Sequence, residues 1–193
     1  MPFLNEKERI NTVYDKYIKS EKFIKKWSNR NIGNKKINIE LKYELLNILN
    51  EKQIDRTNKI ILDVGCASGN KLKLFTQLGF IKSNIYGIDI RKKCIEEALL
   101  KSPRSHFSVM DARKILYADN KFDFINLFTL FSSIISQNNR QKVVMELLRV
   151  LKPGGYILYY DLRYNNPFNP NIKSMTEKNI NSLFSGLRIE KKI

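Results

Sequence analysis

The sequence contains only two cysteines and one histidine in 193 residues. Two cysteines cannot form a disulfide framework in a chain of this length, so we expect reduced thiols and a cytoplasmic protein. The first eight residues are too charged for a secretory signal peptide. The longest apolar stretch, residues 122–135, is too short for a membrane span and is interrupted by Asp123 and Asn126. We predict neither a membrane span nor a metal site.

Acidic residues are few relative to basic ones. There are 19 Asp and Glu against 35 Lys and Arg, which gives a net charge of +16. A basic surface attracts anionic partners, such as nucleic acid, a membrane face or a phosphorylated substrate. The lysines are spread along the whole chain, however, as the compositional bias of an AT-rich genome would spread them. Both interpretations stay open at this point.

Strand-like and helix-like patterns alternate from about residue 58 onward. This alternation predicts an α/β fold with a mostly parallel sheet and helices on both faces. Residues 1–57 have a charged helical pattern, with a helix over 5–27 and a loop over 28–34, and we interpret them as a cap or lid. Residues 58–193 are predicted to form one compact domain that ends in a strand-like alternation at 187–193.

Residues 60–70 have the pattern of a buried strand, a glycine turn and the start of a helix. We expect Gly65 and Gly69 to let backbone N–H groups and the helix N-terminus approach a ligand. Asp63 places a carboxylate in the same crevice. The Gly-x-Gly-x-x-Gly spacing of dinucleotide-binding turns is not met, since residue 67 is alanine. A tight turn without a ligand stays open as the alternative.

Three motifs carry a resemblance to a known family. Asp-x-Gly-x-x-x-Gly at residues 63–69 resembles motif I of the class I S-adenosylmethionine-dependent methyltransferases. The Phe-Asp pair at 122–123 resembles motif IV of that family, and Leu-Lys-Pro-Gly-Gly at 151–155 resembles its turn into the fifth strand. The resemblance covers about residues 58–193 and implies a Rossmann-like three-layer sandwich with S-adenosylmethionine as cofactor. The C-terminal hairpin of the family is expected to be incomplete here, because only its first strand is predicted.

The resemblance also assigns cofactor-binding residues to successive strand ends. In the family, the aspartate and the glycine loop hold the methionine end of the cofactor, and acidic residues after the second and third strands bind ribose and adenine. The positions that match are Asp63, Gly65, Cys66, Ala67, Gly69, Asp89, Ile90, Met110, Asp111, Ala112 and Phe128. The spacing of Asp89 from the turn independently suits a ribose-binding carboxylate, although it also suits an N-cap of the following helix.

The acceptor site is predicted at polar residues that follow the fifth strand, since loops at that edge of the sheet are well placed to hold a substrate. Asp161 is the predicted catalytic base, which an oxygen acceptor needs. The predicted acceptor-binding residues are Thr129, Arg163, Tyr164, Asn165, Trp27 and Arg30. An ordinary rigid loop at 161–171, and a solvated linker around residues 27–34, are the alternatives.

The resemblance implies methyl transfer from S-adenosylmethionine to an acceptor. The Asn/Asp-Pro-Pro-Tyr/Phe motif of DNA amino-methylases does not follow the fourth strand, where residues 126–129 are Asn-Leu-Phe-Thr. The catalytic cysteine pair of RNA cytosine methylases is also missing. We therefore predict O-methylation of a small-molecule or surface-glycan-type acceptor, as in polysaccharide biosynthesis. An RNA methyltransferase and a catalytically silent cofactor-binding or scaffold protein are the alternatives.

Overall fold

The chain forms two compact units in the computed structural model, which describes residues 5–28 and 31–189 without the side chains of Lys22 and Trp27. One unit contains the described residues up to Ile54 together with Ile189, and the other is Asp55–Arg188. The division predicted at residue 57 and the lid role of the first unit stay predictions.

The first unit is helical, with three helices that each begin at a side-chain cap. Asn5, Ser20 and Asn31 accept the backbone N–H that lies three residues later. The predicted single helix over 5–27 is wrong, because Ser20 adopts an extended conformation that ends one helix and caps the next. The predicted loop also ends earlier than residue 34. The helices are α1 (Glu6–Lys19), α2 (Glu21–Trp27) and α3 (Ile32–Glu51).

The second unit is built on a five-stranded sheet in which every strand pairs with its neighbours in parallel. The strands are β1 (Ile61–Val64), β2 (Ile85–Asp89), β3 (His106–Val109), β4 (Phe122–Phe128) and β5 (Leu151–Tyr160). Their order across the sheet is β3-β2-β1-β4-β5. The predicted parallel α/β sheet is thereby confirmed. Because the strands are parallel, all their carboxyl ends meet at one edge.

Helices cover both faces of this sheet. On one face, the apolar stripe of α6 (Val143, Leu147 and Val150) packs in a cluster with Leu62 of β1 and Ile125 of β4. On the other face, the rings of Phe75, Phe80 and Phe124 form successive edge-to-face contacts, with centroids 6.5 and 5.3 Å apart. The helices of this unit are α4 (Leu72–Gln77), α5 (Lys92–Lys101), α6 (Gln137–Val150) and α7 (Glu177–Leu183).

The Pro-Gly-Gly sequence produces a bulge inside β5. Leu151 pairs with Phe122 and Tyr156 pairs with Phe124, so residues 152–155 lie opposite Asp123 alone. Gly154 is left-handed there, with φ +73°. The bulge brings Lys152 Nζ to 2.8 Å from the Asp123 carboxylate, which strengthens the connection between the two strands.

The strand predicted at 187–193 is wrong for Leu187–Ile189, which the structure places outside the sheet, and residues 190–193 lie outside the described part of the chain. The preceding helix α7 has Phe184 as its C-cap, and the ring of Phe184 packs edge-on against Phe131 with the centroids 5.8 Å apart. Leu187 N–H then donates to Phe184 O, which closes a turn. Among the described residues, no helix has the length and apolar character that a membrane crossing requires.

Candidate active site

The glycine turn after β1 is held by β2. The N–H groups of Gly65 and Cys66 both donate to the carbonyl oxygen of Ile88, at 2.8 and 3.0 Å, and Ala67 N–H donates to Asp89 Oδ2 at 2.9 Å. Gly69 N–H donates to Cys66 O. The expectation that the turn presents its N–H groups to a ligand is therefore wrong for these four. They fix the shape of the turn instead.

The turn needs small residues at three positions because its backbone is left-handed there. Gly65, Ala67 and Gly69 have φ of +73°, +47° and +70°. A Cβ on Gly65 would lie 3.0 Å from Leu130, and one on Gly69 would lie 3.3 Å from the ring of Phe107. Ala67 adopts this conformation at a cost of about 1–2 kcal/mol, which the hydrogen bond to Asp89 helps to offset.

The side chain of Cys66 points into the core. It packs with Ile95, Ala98 and Phe107 in a small apolar cluster. Burial raises the pKa of the Cys66 thiol, and the nearby Asp63 and Asp89 carboxylates raise it further. The Cys66 thiol is therefore inert, and the predicted contact of Cys66 with the cofactor stays a prediction.

Asp63 at the end of β1 is almost completely buried. Burial raises its pKa to about 7, and the neighbouring Asp89 adds to this, while a hydrogen bond from Asn126 and the charge of Lys71 oppose it. Asn126 on the adjacent strand donates through Nδ2 to Asp63 Oδ1. Among the described residues, Asn126 Oδ1 is buried and has no hydrogen-bond partner. The crevice thus combines a buried carboxylate with an unused acceptor.

Asp89 at the end of β2 links the turn to the next helix. Its Oδ2 accepts from Ala67 N–H, and its Oδ1 accepts from Arg91 N–H at 2.9 Å and from the Arg91 guanidinium at 3.4 Å. The alternative that Asp89 is the N-cap of α5 is wrong, because the N-cap is Arg91. The predicted contact with ribose stays a prediction, as does the role of half-buried Ile90.

The end of β3 carries Met110, Asp111 and Ala112, which are all half-buried. The guanidinium of Arg113 binds both carboxylate oxygens of Asp111, with Nη2 at 2.6 Å and Nε at 3.0 and 3.1 Å. The sulfur of Met110 accepts from Leu116 N–H at 3.2 Å. The sequence analysis missed Arg113, which lies next to the predicted adenine-binding residues. The adenine contacts stay predictions.

The end of β4 has a strained turn. Thr129 has φ +55°, an outlier for a β-branched residue, and such strain is common at functional sites. Its N–H donates to Tyr160 O at 2.7 Å, which ties β4 to β5. Phe128 is half-buried, its ring lies edge-on to Tyr160, and the ammonium of Lys71 lies 5.0 Å from its centroid. The sequence analysis missed Lys71, although it directly follows the glycine turn.

Asp161 follows β5 and is bound to the backbone on both oxygens. Ser132 N–H donates to Oδ2 at 3.0 Å, and Leu162 N–H donates to Oδ1 at 2.8 Å. Burial raises the pKa of Asp161, and hydrogen bonds from Ser132, Leu162 and Phe131 oppose the shift only in part. The adjacent Tyr159 hydroxyl is buried, and burial together with the Asp161 carboxylate raises its pKa.

The loop after Asp161 is exposed but anchored. Arg163 and Tyr164 are exposed, and the guanidinium of Arg163 lies 5.9 Å from the ring centroid of Tyr164. Asn165 Oδ1 accepts from Ser174 N–H at 2.7 Å, so its side chain closes the loop. Two further backbone hydrogen bonds, Lys173 N–H to Ser132 O and Met175 N–H to Leu162 O, hold the loop at the sheet edge.

Two predicted acceptor residues cannot be placed. Arg30 and the side chain of Trp27 lie outside the described part of the chain. No group of three or more His, Cys, Asp or Glu side chains within the described ranges could hold a metal ion.

Together these features define an α/β protein of the class that binds a nucleotide-type cofactor at the carboxyl edge of a parallel sheet. Carboxylates lie at or next to the ends of three adjacent strands (Asp63, Asp89 and Asp111). Residues 62–159, half of the chain, match the family model of a methyltransferase domain. The chain belongs to this family, the class I S-adenosylmethionine-dependent methyltransferases, and its cofactor is S-adenosylmethionine.

Individual relatives act on different acceptors. The chain is 30% identical over 102 residues to a tRNA (carboxymethyluridine(34)-5-O)-methyltransferase of Arabidopsis thaliana, covering 53% of this chain and 24% of the relative. It is 28% identical over 127 residues to a malonyl-[acyl-carrier protein] O-methyltransferase of Buchnera aphidicola, covering 65% and 48%. The chain therefore spans about a quarter to a half of the length of these curated relatives.

Solved structures share the fold. An S-adenosylmethionine-dependent methyltransferase of Methanosarcina mazei superimposes with a TM-score of 0.56 at 21% identity, covering 72% of this chain and 82% of the other. A protein of Pyrococcus horikoshii gives the same TM-score at 26% identity, covering 74% and 63%.

Proposed function

We propose that this protein transfers the methyl group of S-adenosylmethionine to an oxygen of a small-molecule or surface-glycan-type acceptor in the cytoplasm. The observation that carries the proposal is the division of the sheet edge into two parts. Strands β1 to β3 end in three carboxylates, whereas β5 leads into an exposed and anchored polar loop. The first part suits the cofactor and the second suits an acceptor.

The part of the sheet edge formed by the ends of β1 to β3 is complementary in charge to S-adenosylmethionine. The cofactor carries an ammonium and a sulfonium, and the buried Asp63 carboxylate has Asp89 as a like-charged neighbour. A cation reduces the cost of keeping such carboxylates ionised. The unpartnered Asn126 Oδ1 beside Asp63 is a further acceptor for a donor group. We assign Asp63 and the glycine turn to the methionine end, Asp89 to ribose, and Met110 and Asp111 to adenine.

When bound, S-adenosylmethionine supplies a methyl group on a sulfonium leaving group. The protein's task is then to hold the acceptor in line, and positioning of this kind contributes about 7–11 kcal/mol to lowering a barrier. Phe128 and Thr129 at the end of β4, and Arg163, Tyr164 and Asn165 after β5, are the residues we assign to this task. Arg163 also suits an anionic acceptor.

Asp161 is our candidate base for a hydroxyl acceptor. Backbone hydrogen bonds from Ser132 and Leu162 fix the orientation of its carboxylate at the acceptor part of the sheet edge. Burial raises its pKa, which makes the carboxylate a better base near neutral pH. A role in polysaccharide biosynthesis belongs to the same proposal.

An RNA methyltransferase is the second candidate. The net charge of +16 favours it, and one relative is named as a tRNA methyltransferase. RNA binding through a basic surface would weaken steeply as the salt concentration rises. A catalytically silent cofactor-binding protein is the third candidate, and it would bind S-adenosylmethionine without transferring the methyl group.

The first experiment is calorimetric titration with S-adenosylmethionine and S-adenosylhomocysteine. We expect micromolar binding that Asp89→Asn weakens, since the amide removes one of the carboxylate acceptors. Folding of the variant is checked by circular dichroism, because Asp89 also holds the turn. Absence of binding by the folded parent protein would overturn the proposal.

The second experiment is transfer of tritiated methyl groups to three separate pools: low-mass metabolites, glycan extracts and total RNA. We expect label in the first or second pool and its loss in Asp161→Asn. Label in RNA alone would favour the second candidate function. Cofactor binding without label in any pool would favour the third.

A further inference from the structure

Lys71 lies next to the end of β4 and belongs to the segment that connects β1 to α4. It follows the glycine turn of β1 directly, and its ammonium lies 5.0 Å from the ring centroid of Phe128, the last residue of β4. These two strands are neighbours in the sheet, with Asp63 in register with Asn126. Lys71 is therefore a cation within the crevice that the Asp63 carboxylate occupies.

The charges of Lys71 and Asp63 act on each other. Burial lowers the pKa of Lys71, and the Asp63 carboxylate opposes that shift. In the same way, Lys71 opposes the increase in the pKa of Asp63. The Asp63 carboxylate and the Lys71 ammonium are thus oppositely charged groups that are both partly removed from water, with the Asp89 carboxylate as a further neighbour of Asp63. Charge complementarity to a ligand is stronger in such a place than at an exposed surface.

We propose that Lys71 binds the carboxylate of the amino-acid end of the cofactor. The inference rests on the proposed function, which assigns that end to Asp63 and the glycine turn. An amino-acid end carries an ammonium and a carboxylate on one carbon atom. A site that offers both a carboxylate and an ammonium matches both charges, whereas Asp63 alone matches only the first.

Two other roles for Lys71 make different predictions. If Lys71 were only an internal counter-ion of Asp63, a cationic ligand would have to displace it, and its removal would strengthen binding. If Lys71 bound the methyl acceptor, its removal would leave cofactor affinity unchanged. The affinity of the cofactor product for variants of Lys71 therefore distinguishes the three roles.

The test compares two ligands that differ only in the amino-acid end. S-adenosylhomocysteine has it, and 5′-methylthioadenosine has the same nucleoside and thioether sulfur without it. We expect Lys71→Met to lower the affinity for S-adenosylhomocysteine about 10–100-fold, as the loss of a charge-assisted hydrogen bond predicts. The affinity for 5′-methylthioadenosine should stay within about twofold of the parent.

The matched control is Lys73→Met, which removes an exposed lysine two residues further along, and it should leave both affinities unchanged. Lys71→Arg keeps the charge and should restore most of the affinity for S-adenosylhomocysteine. Lys71→Gln, which keeps the length and polarity of the side chain, replaces Lys71→Met if the latter does not fold.

The inference is overturned if Lys71→Met lowers the affinity for both ligands equally. It is also overturned if the substitution raises the affinity for S-adenosylhomocysteine or leaves it unchanged. Failure of the proposed function gives a different result. In that case the parent protein binds neither S-adenosylhomocysteine nor 5′-methylthioadenosine, and the inference fails together with it.

Discussion

The substitution Asp63→Asn is predicted to stabilise the ligand-free protein while abolishing cofactor binding. Burial disfavours the ionised carboxylate, so the pKa of Asp63 rises from its ordinary value of 3.8 to about 7. An amide of the same shape has no charge to bury and still accepts the hydrogen bond from Asn126. The protein thus keeps a destabilising carboxylate at the point where a cationic ligand is expected.

The magnitude follows from the two pKa values. Between pH 3.8 and about 7, the folded protein binds more protons at Asp63 than the unfolded chain does. The free energy of unfolding therefore falls as the pH rises through this window. The amide variant lacks this dependence, so its stability relative to the parent should increase by about 2–3 kcal/mol between pH 5 and pH 8.

The assay is urea-induced unfolding of both proteins at pH 5, 6, 7 and 8, with the difference in unfolding free energy plotted against pH. Asp123→Asn is the control, because the net shift of its pKa is downward: burial alone would raise it, but hydrogen bonds from Ile60 N–H, Lys152 and Lys59 outweigh that effect. This control should be less stable than the parent by an amount that is constant over the same pH range. A pH-independent or falling difference for Asp63→Asn would refute the reasoning.

Three further predictions concern packing, anchoring and chemistry. Gly87→Ala should destabilise the fold by about 1–3 kcal/mol in urea unfolding, because a Cβ there would lie 2.5 Å from Phe107. The control is Gly186→Ala, where the Cβ would have open space, and it should change the free energy of unfolding by less than about 0.5 kcal/mol. Arg149→Met should cost about 2–3 kcal/mol by the same measurement, since it removes the donors to two backbone carbonyls and the bonds to two carboxylates; equal stability would contradict this. Asp161→Asn should lower methyl transfer about 100-fold or more while the dissociation constant of S-adenosylhomocysteine stays unchanged, and unaltered transfer would remove Asp161 as the base.

Local patterns were sufficient where one short stretch decides the structure. Gly79 follows the C-cap of α4 with φ +98°, a position that favours glycine, and Thr176 is the N-cap of α7, a position that favours threonine. The parallel direction of the strands could be predicted from their alternation with helices. The cofactor family followed from motifs at fixed spacing.

Contacts between distant residues limited the rest. The hydrogen bonds of the glycine turn depend on the carbonyl of Ile88, more than twenty residues away, so the sequence could not show that its N–H groups are used internally. Ser20 ends a helix although serine is also tolerated on helix surfaces. Lys71 was missed because a lysine after a turn is ordinarily solvated, and only the packing of β4 places Phe128 next to it.

The attachment of the glycine turn to β2 has a thermodynamic consequence. Because Ile88 and Asp89 already hold the turn, a ligand arriving there does not have to order the backbone, and binding avoids that entropic cost. The heat-capacity change on binding should then match the apolar area buried between the ligand and the site, without the larger value that accompanies coupled folding. Asp89 holds the turn that we assign to the methionine end, and we also assign its carboxylate to ribose. The losses of affinity from altering the two ends of the ligand should therefore not be additive.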